Sequence, residues 1–271
     1  MFELIFQYDP DQQGRLQQPT DADQARARLM EGNAQFSSQW FGGKEGLHRH
    51  VVPCNLEGLI ESEKGETPTQ QPYAAVLSCA DARVSTELIF HQTVNDMFVV
   101  RLAGNVITNE SVGSLNYAAQ HLGGSVKLMA VLGHSGCGAV GAAVDAYLEP
   151  ANVTAQLNTL GLRSVVDRIF IAVRTAAKAL EGTDAGAPHD ADTYKARLTG
   201  MSIVVNAALN AMTLQQILGP SIPEDCQVAY GVYDIGTRQV LGPDGPGLAD
   251  PPLSFRDLDK LAVQVAGMDR W

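Results

Sequence analysis

The segment Tyr73-Ala-Ala-Val-Leu-Ser-Cys-Ala-Asp-Ala-Arg83 joins a short apolar run to a polar turn, and it decides the fold. Similar apolar runs recur at 97–100 and 126–132, and helix-compatible stretches such as 110–121 separate them. Short buried strands that alternate with helices are typical of a parallel sheet built from βαβ units. We therefore predict an α/β protein with a central, mostly parallel sheet flanked by helices, and a last strand over 227–235.

Both ends of the chain differ from this central part. Residues 1–20 are rich in Gln, Asp and Pro, and we expect an extended arm that needs a partner surface to become ordered. A helix over 21–36 follows the arm, because a capping hydroxyl and an acid three residues later precede apolar residues at helical spacing. We expect residues 242–271 to be a Gly/Pro-rich linker and a tail, with a short helix near 255–265.

The predicted domain boundaries are thus 1–37 for the N-terminal arm and helix, 38–241 for the α/β domain, and the linker and tail beyond. Within the domain, residues 41–72 hold many Gly and Pro and should be mostly loop. A capping box at Ser164-Val-Val-Asp167 predicts a helix that continues to about Leu180. A polar break and then a helix over 202–218 should follow.

Composition excludes several classes of partner. The 271 residues include 30 acidic and 19 basic side chains, a formal net charge of −11, and no Lys/Arg block that would bind nucleic acid. The apolar runs are shorter than the roughly 20 residues that span a bilayer. The first residues, Met-Phe-Glu-Leu-Ile-Phe, lack the basic region of a secretory signal. We expect a cytoplasmic protein with reduced thiols, either free or enclosed in a protein compartment.

Two polar turns at predicted strand ends carry metal-binding residue types. Cys79 follows the first strand, and His134 and Cys137 lie three residues apart in the glycine-rich turn after the third. Because the carboxyl ends of neighbouring parallel strands lie at one edge of a sheet, the two turns should meet. Two thiolates and one imidazole are three protein ligands, the number typical of a catalytic zinc site with an open fourth position. Cys54 and Cys226 do not follow comparable strands.

Asp81 and Arg83 lie two and four residues beyond Cys79, so in an extended segment all three would share one side. Two thiolates cancel the charge of Zn²⁺. We therefore expect the ion to need help from neighbouring groups to lower the pKa of a bound water. Asp81 is able either to bind the metal or to accept a hydrogen bond from the nucleophile, and Arg83 is able to hold it in a bidentate pair.

These residues make the chain resemble the β-class carbonic anhydrases, over roughly Leu29 to Ile235. Cys79-x-Asp81-x-Arg83 matches the family's first signature, and His134-x-x-Cys137-Gly matches its second. The resemblance implies one Zn²⁺ per chain on Cys79, His134 and Cys137, with Asp81 and Arg83 as the catalytic dyad. It also implies a lyase that reversibly hydrates CO2 to bicarbonate and a proton by attack of a zinc-bound hydroxide, with activity that rises through the weakly alkaline range.

The resemblance also implies substrate contacts and an assembly. Gln70 is similar to the family's glutamine that hydrogen-bonds substrate, often across a dimer interface, and Phe98 and Tyr117 are similar to the apolar pocket walls of the plant-type branch. Phe98 and Tyr117 would also suit a structural core. Homodimers or dimers of dimers are expected.

Some positions depart from the family pattern. Ala80 and Ala82 replace the usual serines, and Leu102 replaces a common Asn. Val76 stands where the branch inhibited by bicarbonate in a non-catalytic pocket has a Trp, although Arg101 matches the arginine of that pocket. We therefore expect the inhibitory pocket to be absent or altered.

Other readings of the sequence remain open. The same fold and metal would suit a hydrolase of CS2 or COS, and a non-catalytic assembly module would use the fold alone. A nucleotide-binding α/β protein ranks last because no GxGxxG or Walker lysine is present. His91 and His121 are available to move a proton, but neither is assigned that role.

Overall fold

The computed structural model describes residues 2–8, 17–40, 48–54, 65, 67–152, 159–182, 190–268 and 271. Its strands are β1 Phe2–Gln7, β2 His48–Pro53, β3 Ala74–Ser78, β4 Met97–Arg101, β5 Leu128–His134, β6 Gln227–Tyr233, β7 Val240–Gly242 and β8 Gly245–Pro246. Its α-helices are α1 Ala22–Trp40, α2 Thr86–Ile89, α3 Asn109–His121, α4 Gly138–Leu148, α5 Leu160–Glu181, α6 Ala191–Leu218 and α7 Phe255–Ala266.

The main sheet has six strands in the order β4-β3-β5-β6-β7-β8. The first four strands are parallel, and β7 and β8 form an antiparallel edge. Every residue of β3 and β5 is buried, as expected where helices cover both faces. The predicted α/β architecture is confirmed.

Alternate residues of the central strands enter two separate apolar cores. Ala75 and Leu77 point into a large core that includes residues of α3 to α7. Ala74 and Val76 point into a smaller core formed with α1 and α2. This alternation follows from the two-residue period of a strand, so the sheet is the middle layer between helices.

Helix α6 is the central helix of the larger core. By length and composition it would be able to cross a membrane, but 78% of its apolar window is buried inside the protein, as in the core helix of a soluble domain. The sequence predicted its start near Ser202. It begins eleven residues earlier, because Asp190 Oδ1 accepts a hydrogen bond from Thr193 N and caps the helix inside the predicted polar break.

The start of α5 was also predicted too late. Ser164 and Asp167 lie within the helix, and Thr159 is its N-cap, with its hydroxyl oxygen accepting from Leu162 N. In contrast, the tail helix α7 lies where the sequence placed it. Leu258 and Val265 of this helix belong to the larger core, so the tail is packed into the fold.

The expectation of an arm ordered only by a partner is wrong for residues 2–7. Strand β1 pairs in parallel with β2, in the region that was expected to be mostly loop, from Phe2 opposite His48 to Gln7 opposite Pro53. Such pairing between short segments about 40 residues apart leaves no local signal. A partner surface is therefore not needed to order residues 2–7.

Asn33 links α1 to α2 and to the start of β7. Its side chain is buried and donates to Ile89 O (3.1 Å) and Arg238 O (3.0 Å), while its oxygen accepts from Val240 N (2.8 Å). The amide thus satisfies three backbone groups that belong to α2, to β7 and to the turn before β7.

We predict that Asn33→Ala lowers the free energy of unfolding by about 2–4 kcal/mol, because it leaves buried backbone groups without partners. Urea denaturation measures this change. Ser38→Ala on the exposed side of α1, where the hydroxyl bonds back to Gln35 O, is the control and should change the free energy by less than about 0.5 kcal/mol. Equal effects of the two substitutions would contradict the structural role of Asn33.

Candidate metal centre

Three buried side chains meet at the carboxyl edge of the sheet. Cys79 follows the end of β3, His134 is the last residue of β5, and Cys137 precedes α4. The two strands are paired in register, with Ser78 opposite Leu132. The ligand atoms of Cys79, His134 and Cys137 lie within 4.8 Å of one another, so the predicted meeting of the two turns is confirmed.

His134 is oriented toward this group. Its Nδ1 lies 3.0 Å from Ser135 O, a contact that assigns the proton to Nδ1 and leaves a lone pair on Nε2. The side chain is fully buried, and its Nε2 has no hydrogen-bond partner among the described residues. A buried nitrogen lone pair between two thiols fits a metal ion, and the contact from Nδ1 is of the kind that orients metal-bound histidines.

The two thiols have opposite tendencies to ionise. The pKa of Cys79 is lowered to about 4, chiefly because the Cys137 thiol donates to its sulfur, and Gly104 N also donates to it at 3.3 Å. The pKa of Cys137 is raised, because its proton is held by Cys79 and its own ionisation would place a second buried negative charge beside the first. A divalent cation removes this repulsion, so the pair fits a metal site that ionises both thiols.

Helix α6 supports the Cys79 sulfur through the short 3₁₀ turn Ala103–Asn105. Asn206 Nδ2 donates to Gly104 O at 2.9 Å, and Gly104 N donates to the sulfur. Gly104 has a positive φ of 66°, and a Cβ at this position would lie 2.8 Å from Ile169 Cδ1. Glycine is therefore needed to bring this N–H close to the sulfur.

Asp81 is held by Arg83 in a bidentate ion pair. Arg83 Nε lies 2.9 Å from Asp81 Oδ1, and Arg83 Nη2 lies 2.7 Å from Oδ2. The segment is not extended as the sequence analysis assumed, because a turn closes with Val84 N donating to Asp81 O. This turn also lets Arg83 N donate to Asp81 Oδ1 at 2.9 Å. The hydrogen bonds from Arg83 hold the pKa of Asp81 well below its usual range, so the carboxylate is ionised.

The Asp81 carboxylate lies beside the two thiols and the imidazole but is not part of this group. Its Oδ2 is 3.9 Å from His134 Nε2. Arg101, at the end of β4, donates from Nε to Cys79 O (3.0 Å) and from Nη2 to Asp81 O (2.5 Å). The side chain that matches the family's inhibitory pocket thus fixes the backbone that carries Cys79 and Asp81.

The three predicted substrate contacts do not join this group in the described part of the chain. Gln70 is exposed and lies four residues before β3, at the amino end of this strand, whereas Cys79 follows its carboxyl end. The rings of Phe98 and Tyr117 contact each other with centroids 6.4 Å apart, and Tyr117 is 47% exposed. A role of these three residues in substrate binding stays a prediction.

Sequence reasoning missed three residues that support the ligands: Ser135, Gly104 and Asn206. Ser135 and Gly104 lie in turns and give no signal alone. Asn206 and Asn210 had one, because two amides four residues apart interrupt an otherwise apolar helix. Asn210 Oδ1 accepts from Ile107 N at 3.1 Å, so both amides bind the backbone around the 3₁₀ turn.

The comparisons with known proteins identify the family of this chain. A family model described as carbonic anhydrase matches residues 74–240, and this chain belongs to the β-class carbonic anhydrase family. The carbonic anhydrase of Mycolicibacterium smegmatis is 38% identical over 149 residues, which cover 54% of this chain and 69% of that protein.

Carbonic anhydrase 2 of Mycobacterium tuberculosis is 44% identical over 109 residues. These cover 40% of this chain and 52% of that protein, so the match spans about half of that relative. A crystal structure of the β-carbonic anhydrase CafA of Aspergillus fumigatus aligns with a TM-score of 0.48 and 20% identity, over 74% of this chain and 85% of that one.

We predict that Cys137→Ser abolishes metal retention, because a serine hydroxyl does not ionise as a thiol does and one of three ligands is lost. Metal analysis of purified protein should show about one zinc per wild-type chain and close to none in the variant. Cys226→Ser is the control, since Cys226 is also a buried free cysteine but lies outside the group. Equal zinc in the two variants would contradict the assignment.

Proposed function

We propose that this chain catalyses the zinc-dependent, reversible hydration of CO2 to bicarbonate and a proton. The observation that carries the proposal is the Asp81 carboxylate, which Arg83 holds beside the buried group of two thiols and one imidazole without making it part of that group. Family membership supports the reaction class.

The donor set favours zinc. Two thiolates and one imidazole select Zn²⁺ over the hard cations Mg²⁺ and Ca²⁺, which prefer oxygen ligands. When bound, zinc supplies Lewis acidity that lowers the pKa of water and so provides a hydroxide-like nucleophile near neutral pH. With three protein ligands from the chain, the fourth position stays available for this chemistry.

Asp81 has a defined task in this scheme. As an ionised carboxylate it only accepts hydrogen bonds, so it favours a nucleophile that presents an O–H to it and directs the remaining lone pair toward CO2. Arg83 occupies both carboxylate oxygens and keeps them from turning toward the metal. Addition of hydroxide to CO2 forms one C–O bond and gives bicarbonate, and the proton of the water leaves to solvent or buffer.

Stopped-flow CO2 hydration with the zinc content of the same samples tests the proposal. We expect Asp81→Asn to lower kcat/KM on the order of 10²-fold while zinc stays bound, because the amide presents a donor where an acceptor is required. The control is Asp259→Asn, which removes a comparable carboxylate from the exposed ion pair with Lys178 (3.2 Å).

Activity of Asp81→Asn within twofold of wild type would contradict the role of the carboxylate. Zinc-loaded wild-type protein without hydration activity would contradict the function itself. A parallel assay with CS2 and COS then distinguishes a hydrolase from a non-catalytic assembly module.

The pH profile is a separate prediction. The pKa of Asp81 is held well below its usual range, so this carboxylate stays charged throughout the assay range. We attribute the expected rise of activity from about pH 6.5 to 9 to loss of a proton by the nucleophile, which is protonated and inactive on the acid side. Stopped-flow rates across this range measure the rise, and a flat profile would contradict it.

A further inference from the structure

A polar contact joins the metal-site loop to the turn after β6. Ser135 follows His134 directly, and its hydroxyl donates to Asp234 Oδ1 at 2.8 Å. The same Ser135 oxygen accepts from Ile235 N at 2.9 Å, and Ser135 N donates to Tyr233 O, also at 2.9 Å. Ser135 is therefore held at its backbone and its side chain by residues about 100 positions away in the chain.

Asp234 is itself firmly held. Its carboxylate accepts from Gly236 N (3.2 Å), Thr237 N (3.1 Å) and Thr237 Oγ1 (2.7 Å), in addition to the Ser135 hydroxyl. The backbone of Asp234 closes the turn as well, since Asp234 N donates to Gln239 O at 2.8 Å. Asp234 is thus held firmly in the turn after β6, whereas in the loop after β5 the backbone of Gly136 is held only by a long contact of 3.4 Å from Arg83 Nη2 to Gly136 O among the hydrogen bonds of the described residues.

The residue that Asp234 holds, Ser135, also contacts the metal-binding His134. The carbonyl oxygen of Ser135 lies 3.0 Å from His134 Nδ1, the contact that fixes the plane of the imidazole and leaves Nε2 free for a metal. We propose that Ser135 and Asp234 are positioning residues, which together hold this carbonyl in place and so align His134 for metal binding. The inference rests on the metal site of the proposed function and names two residues outside its ligands and its Asp81–Arg83 pair.

The Ser135–Asp234 hydrogen bond confines a loop that lies beside open space. Ser135, Gly136 and Asp234 border a cavity of about 620 Å³, so packing does not confine the loop on that side. Gly136 has a positive φ of 66°, and among the described residues no atom beyond its two chain neighbours lies within 4 Å of where its Cβ would be. With open space beside a glycine, loss of the Ser135–Asp234 contact gives the loop room to turn its carbonyl away from His134.

The test measures zinc affinity directly, by competition with a chromophoric chelator against metal-free protein. Ser135→Ala should weaken zinc binding about 10-fold, within the range found when groups that orient metal ligands are removed. Ser254→Ala is the matched control, because Ser254 Oγ makes an equivalent 2.7 Å hydrogen bond to Asp257 Oδ2 at the start of α7, away from the site. Thermal unfolding of the metal-free variants shows whether they are equally folded.

A double-mutant cycle with Asp234→Ala tests whether the two residues act together. If they do, Ser135→Ala should have little further effect on zinc affinity once Asp234 has been replaced. The d–d spectrum of Co²⁺-loaded Ser135→Ala should also shift from that of wild type, which a merely stabilising hydrogen bond would not cause.

Zinc affinity of Ser135→Ala equal to that of Ser254→Ala would overturn the proposal, as would fully additive losses in the cycle. These readouts do not depend on turnover. If wild-type protein binds zinc but does not hydrate CO2, the proposed function fails while the positioning of His134 is still measured. If the protein hydrates CO2 and Ser135→Ala binds zinc like the control, only the positioning fails.

Discussion

The site depends above all on the parallel pairing of β3 with β5. This pairing places the residues after Ser78 beside those after Leu132 at one edge of the sheet. Because side chains alternate along a strand, a slip of one residue would move Leu77 and Val131 into the wrong core and separate Cys79 from His134. The two apolar cores, one on each face, therefore specify the same register that the metal ligands require.

Repulsion between negative charges is the second constraint on the site, and several groups reduce it. Two buried thiolates repel each other, and the fold offsets this with the N–H of Gly104 at Cys79 and with the N-terminus of α4, which begins directly after Cys137. Asp81 adds a third negative charge nearby. Arg83 neutralises it in the bidentate pair, so the carboxylate stays available as a hydrogen-bond acceptor while the cation is left to the thiolates.

The four parallel strands of the main sheet and the metal-binding residues were predictable because their signals are local. A short apolar run followed by Cys79, and another followed by His134 and Cys137, are contiguous in sequence and need only the rule that parallel strands end at one edge. The bidentate pairing of Asp81 with Arg83 was predictable from charge, although a turn rather than an extended segment creates it. The β1–β2 pairing and the true starts of α5 and α6 were not, because they depend on distant partners or on caps inside polar segments.

The residues that support the ligands show why part of a site is invisible in sequence. Gly104 touches Cys79 from 25 positions away, and Asn206 holds Gly104 from 102 positions away. A buried amide costs free energy unless it is hydrogen-bonded, so an asparagine in an apolar core helix indicates backbone that has no regular partner. In α6 that backbone is the 3₁₀ turn at the metal site. From its composition α6 is only a buried core helix. Through Asn206 and Gly104 it also supports Cys79.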